Sequence, residues 1–170
     1  MNIYQPIGAD DYECVVCCDS EDYDVFDEFD GSPRSATWRP IAVRRYPGDE
    51  GERGLPSDFP WMVSDVLVLR ERAVIALRDM LDRHGELLPL DDHDGVGLVA
   101  YNVHTVDALD ESRSGILRIP GSPRIMDIER PAFIESAVRG LDIFRLPYRA
   151  MPTYVSQGFV DRVASAGLVG

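Results

Sequence analysis

Lysine is missing from this chain altogether, and no basic residue of any kind occurs among the first thirty. All formal positive charge therefore comes from 17 arginines, set against 30 acids, for a net charge of -13. Their tightest groupings are Arg44-Arg45 and Arg70-x-Arg72, which read as a strand edge and a helix start. Nucleic acid and anionic membrane are accordingly excluded as partners, because a strongly acidic surface repels both. The missing lysine also rules out a Gly-x-x-x-x-Gly-Lys-Ser/Thr phosphate loop. No Gly-x-Gly-x-x-Gly follows a strand and no Gly-x-Ser-x-Gly elbow occurs, so no catalytic residue and no cofactor is assigned.

Cysteine and histidine are scarce. Cys14, Cys17 and Cys18 are an odd-numbered cluster, a poor disulfide framework, and adjacent cysteines bridge only with strain. Cys14-x-x-Cys17 lacks the second ligand pair a zinc site needs, and His84, His93 and His104 are far apart in the chain, so no metal is assigned. The run Tyr12 to Cys18 is apolar and β-prone, and reads as a buried strand. Asp91-Asp92-His93-Asp94-Gly95 lacks the alternating ligands of a calcium loop and reads as a solvated turn. Asp107 and Asp110, with Glu111 beside them, form a carboxylate pair but fit better as residues shaping the turn after Val103. No apolar run reaches the ~20 residues of a membrane helix. The opening Met-Asn-Ile-Tyr-Gln-Pro has neither the basic nor the apolar region of a signal peptide, so the expected location is cytoplasmic.

What is abundant is acid at the front. Ten of the 30 acids lie within the first thirty residues, between Asp10 and Asp30, and residues 31–170 are nearly balanced. Aromatic residues are interleaved with them, so this segment offers apolar anchors as well as charge. The residues expected to meet a partner are Asp22, Tyr23, Asp24, Phe26, Asp27, Glu28, Phe29 and Asp30, with the partner basic. The competing reading packs the aromatics inward and leaves the acids to keep the protein in solution.

At 170 residues the chain is the size of one domain, with an acidic segment at 10–30 and a core burying roughly 70% of the extended-chain surface. Asp19 to Asp30 reads as an acidic loop, Gly31-Ser32-Pro33 as a turn, Trp38 to Tyr46 as extended and Pro47 to Pro60 as a loop. A strand at Asp65 to Leu69 leads into a helix at Glu71 to Arg83, whose Ala73, Val74, Leu77, Met80 and Leu81 recur at helical spacing, with Gly85 as its stop. Further strands are expected at Glu86 to Leu90, Gly97 to Val103, Ile116 to Ile119, Arg124 to Ile128 and Ile143 to Leu146. Ser156 is placed to cap a last helix using Phe159, Val160, Val163 and Ala164. The pattern predicts an α+β fold with a largely antiparallel sheet of short strands and two amphipathic helices. Asp127 is a candidate ion-pair partner for Arg145.

The order of several motifs carries more than any one of them. Asp58-Phe59-Pro60-Trp61, Ser64 to Leu81 and Glu86-Leu87-Leu88-Pro89-Leu90 come first. Tyr101-Asn102-Val103, Val106 to Asp110, Arg124 to Ile128, Ile143 to Pro147 and Ala166-Gly167-Leu168 follow. Upstream, Phe29-Asp30-Gly31 and Trp38-Arg39-Pro40 fit the same series. From about Phe29 to Leu168 the chain resembles a bacterial family of immunity proteins from polymorphic-toxin systems, of the type first associated with a myxobacterial toxin–immunity pair. The resemblance implies a non-enzymatic protein that binds and blocks a cognate toxin, often a nuclease, and it implies no catalytic residue. The alternative is a small metal- or Cys/His-dependent hydrolase built on Cys14, Cys17, His104 and Asp107, and a third class is an assembly subunit.

Overall fold

The computed structural model describes residues 2–46, 54–62 and 66–170. The first part of the expected Pro47 to Pro60 loop, together with Ser64 and Asp65, lies outside the described residues. In chain order the elements are β1 (Ile3–Tyr4), β2 (Cys14–Cys17), α1 (Tyr23–Asp27), β3 (Ala42–Arg45), β4 (Trp61–Met62) and β5 (Leu67–Arg70). There follow α2 (Glu71–His84), β6 (Gly85–Pro89), β7 (Asp91–Asp92), β8 (Leu98–Val103), β9 (Gly115–Arg118) and β10 (Ile125–Arg130). The last are α3 (Glu135–Val138), β11 (Ile143–Arg145), β12 (Thr153–Ser156) and α4 (Gln157–Ser165).

The strands form small sheets, and antiparallel pairing predominates. The orders are β5-β8-β6, β1-β12-β11 and the hairpin β10-β9, all antiparallel, plus β4-β2-β3-β7, where β2 pairs antiparallel with β3 and the outer two pairs are parallel. This is the α+β class expected from the sequence.

Alternation along β8 explains how two cores sit back to back, since successive strand side chains point to opposite faces. Leu98 and Ala100 face a first cluster with Val15, Val43, Met62, Phe26 and Phe29. Tyr101 and Val103 face a second, where α2 brings Ala73, Leu77 and Leu81 and α4 brings Phe159. β11 and β12 divide in the same way. Ile143 and Val155 join the second cluster, whereas Phe144 and Tyr154 join a third with Leu109, Ile128 and Leu146.

Several elements differ from expectation. Within the expected Asp19 to Asp30 loop, Ser20 to Asp27 is helical: Asp19 accepts a hydrogen bond from the Glu21 amide at 3.0 Å and starts a short 3-10 turn that runs into α1. Burial of Phe26, 0% exposed, then ties that helix to the first cluster. α1 and α3 bring the helices to four among the described residues; both are too short to show a helical repeat in sequence. Gly85 does follow α2, but in extended backbone (φ 168°), as the first residue of β6. It is glycine because a Cβ there would lie 2.4 Å from the Asn102 carbonyl oxygen. Ser156 caps α4 as expected, its hydroxyl accepting from the Phe159 amide at 3.2 Å. Asp127 and Arg145 occupy different environments. Asp127 is exposed and accepts from the Ile128 amide, while Arg145, 1% exposed, donates to the Met151 carbonyl at 2.9 Å.

Candidate functional site

α1 and the turn after it form one wall of a hollow of about 450 Å³, and the turn following β11 forms the other. Asp27, Glu28, Phe29, Asp30 and Arg34 come from the first, and Pro147, Tyr148 and Arg149 from the second. Thr105 joins them, its hydroxyl donating to the Asp30 carbonyl at 3.0 Å. The Arg149 guanidinium crosses between the walls to Asp24 at 3.1 Å and Asp27 at 3.7 Å. These pairs are exposed and hold the walls only weakly. Arg34 lies 5.5 Å from the Phe29 ring centre and donates to the Glu28 carbonyl at 2.6 Å. The Ser32 hydroxyl and amide hold the Asp30 carboxyl below the usual carboxylate range, keeping it charged. Burial, then the carboxylates of Glu111 and Asp107, push the Tyr148 phenol up, so it stays a neutral hydrogen-bonding group.

The expected partner-facing residues divide. Asp24, Glu28 and Asp30 are exposed, and Asp22 and Asp27 partly so. Phe26 and Phe29, at 0% and 3% exposure, are core residues and not free anchors. With Trp38 they form edge-on and tilted ring pairs at 5.4 to 6.5 Å, so burying them fixes α1 in place. Tyr23 is half-buried and its hydroxyl accepts from the Cys17 amide at 3.1 Å. Sequence reasoning missed Tyr148, which follows the Ile143 to Pro147 motif, far in sequence from the acids it sits beside.

Glu13, another of the ten N-terminal acids, is 2% exposed and faces no partner. It accepts from the Ser57 amide at 2.9 Å and from Arg70, with Arg45 at 3.6 Å. Arg72 pairs with Asp58 at 2.9 Å. Of the arginines expected to sit solvated at a strand edge and a helix start, Arg45 and Arg70 are thus structural cations, Arg72 pairs while staying largely exposed, and Arg44 is exposed as expected.

The residues of the hydrolase alternative lie in different environments. Cys14 and Cys17 are in β2 as expected, and burial, then Asp22 and Cys18, push the Cys17 thiol up to about 11. His104 and Asp107 are exposed, and neither lines the hollow. Among the described residues no group of three or more His, Cys, Asp or Glu side chains is placed to hold a metal ion. In the Asp91 to Gly95 turn, Asp92 accepts from the amides of Asp94 and Val96. Asp110 likewise shapes its own turn, accepting from Ser112 at 2.6 Å. Because burial keeps the Cys17 thiol protonated, iodoacetamide should modify exposed Cys18 and spare Cys17. Fragment-ion mass spectrometry of the labelled peptide distinguishes the two.

A further cleft, of about 240 Å³, is mostly apolar and shares no lining residue with the acidic hollow. No helix among the described residues is long and apolar enough to cross a membrane.

One wall of the hollow, Thr105 with Pro147 to Arg149, lies in a stretch that a family model matches. Residues 99–170 match the model of the immunity protein family Imm11. The resemblance carried by motif order is borne out over this stretch, which holds Tyr101-Asn102-Val103, Val106 to Asp110 and Ile143 to Pro147. The Imm11 match thus runs from the second residue of β8 through α4 to residue 170 and includes one wall of the hollow, while α1 and its acids precede it. No curated protein matches the chain.

Proposed function

We propose that this chain is an immunity protein that neutralises a cognate bacterial toxin by stoichiometric binding, without catalysis of its own. The observation that carries the reading is the Imm11 match over residues 99–170. The acidic hollow supports it with a chemistry of recognition: Asp27, Glu28 and Asp30 line it, Asp22 and Asp24 stand at least partly exposed on the adjoining helical segment, and Tyr148 adds a neutral aromatic surface beside Arg149. Such a face fits a basic protein. A toxin that acts on nucleic acid is basic because it must hold phosphate, so a nuclease is the toxin class whose charge this face complements. Complementary charge speeds encounter and selects the partner, while affinity comes from a few well-packed anchors.

The test is co-expression with a toxin domain taken from a reading frame adjacent to this chain's own, where one encodes such a domain. Cells carrying both should survive and the two proteins should copurify. Continued killing with no copurification would refute the reading.

A further inference from the structure

Asn102 is an anomaly in its row. Leu98, Ala100 and Asn102 share one face of β8, and the first two belong to the first core cluster. Asn102 is 0% exposed, yet it carries a carboxamide. Its Oδ1 accepts from the Gly31 amide at 3.1 Å, and its Nδ2 donates to the Ser32 carbonyl at 2.9 Å and to Glu86 Oε1 at 3.0 Å.

Glu86 stands directly across the ladder on β6. Its carboxylate accepts from the amides of Arg34 at 2.5 Å and Ser35 at 3.2 Å. Burial pushes the Glu86 carboxyl up, but the Asn102 carboxamide and those two amides outweigh it and hold the group below its usual range. Gly31, in left-handed backbone (φ 78°), is pressed so close to the end of β8 that a Cβ would lie 2.6 Å from His104 Cα. Two side chains from the central sheet therefore grip four backbone groups between Gly31 and Ser35.

We infer that Asn102, acting with Glu86, is the positioning residue of the acidic hollow. This rests on the function proposed above. The gripped turn carries Asp30 at its start and Arg34 at its end, and Arg34 reaches back to Glu28. Fixing that backbone fixes where three members of the hollow stand. An apolar side chain at Asn102 would extend the core without forming these bonds. A satisfied buried polar network specifies geometry more than it adds stability. The inference also joins the two parts of the site, because Asn102 lies inside the Imm11-matching stretch and the turn it holds precedes it.

Asn102→Asp in the full chain is the test. It keeps an acceptor for Gly31, loses both donors and sets a carboxylate against Glu86. Hydrogen exchange at the amides of Gly31, Arg34 and Ser35 should quicken by about ten-fold or more, while amides in α2 change little. Association with the toxin domain that copurifies with this chain on co-expression should slow by about ten-fold. Glu86→Gln, which keeps the shape and loses one acceptor, should show a smaller form of both effects, and it serves should Asn102→Asp fail to fold. Unchanged exchange at those three amides overturns the inference, as does faster exchange with unchanged association. A wild-type chain that captures no toxin domain overturns the proposed function and the positioning role with it. The exchange comparison then still shows whether the clamp exists.

Discussion

Replacing Glu13 by alanine should lower the unfolding free energy by about 3–5 kcal/mol, the usual cost of removing one partner of a buried ion pair. For a chain of this length that means a fall in melting temperature on the order of 10 °C. Glu13 is 2% exposed and its carboxylate joins Arg70, which precedes α2, to the Ser57 amide. Its loss strands the Ser57 N–H in the interior and leaves Arg70, with 18% of its side chain exposed, facing no acid at that position. Glu13→Gln keeps an acceptor for Ser57 and should cost less. Asp24→Ala removes a carboxylate that is 77% exposed, and should cost less than about 1 kcal/mol. Thermal and urea unfolding of the three variants makes the comparison. Equal effects at Glu13 and Asp24 would contradict the division of the N-terminal acids into structural and partner-facing groups.

Reversing charge at Asp24, Asp27 and Glu28 to lysine should slow association with the toxin domain by about 10- to 100-fold at low salt, within the range steering provides. These acids are at least partly exposed, on or just after α1, and two of them line the hollow. Their charge acts on the approaching partner before contact. The wild-type rate should fall steeply as salt rises and the screening length shrinks to about 8 Å near physiological ionic strength. The rate of the variant should be nearly flat. Reversing Asp79, Asp82 and Asp161 on α2 and α4 changes net charge by the same amount and should affect association far less. Stopped-flow measurement across a salt series separates local steering from overall charge. Equal slowing by both sets would place the effect in net charge alone.

Periodicity made the long elements legible. α2 and α4 carry full apolar stripes, β8 alternates between two cores, and Ser156 and Gly85 mark real boundaries. What sequence could not reveal depends on partners distant in the chain. α1 forms because Phe26 and Phe29 meet Trp38 and the sheet behind it, so a segment that reads as loop becomes a helix. Glu13 looks like any other acid in a run of ten, and only its pairing with Arg70, 57 positions on, makes it structural. Of the expected site, the exposed acids stand where a partner can reach them, and two aromatics turn inward. Tyr148 joins them only through the fold, as does Asn102, which reaches Gly31 across 71 positions. Gly85 was legible as a boundary but not as a close approach, because the constraint on it comes from the neighbouring strand.

The central claim is inhibition by one-to-one binding. Titrating this chain into a fixed amount of the toxin domain that it protects cells against in co-expression, while following the toxin's own activity, tests that claim most directly. The activity should fall linearly and reach zero at one equivalent. Full activity at several-fold excess of this chain would contradict it.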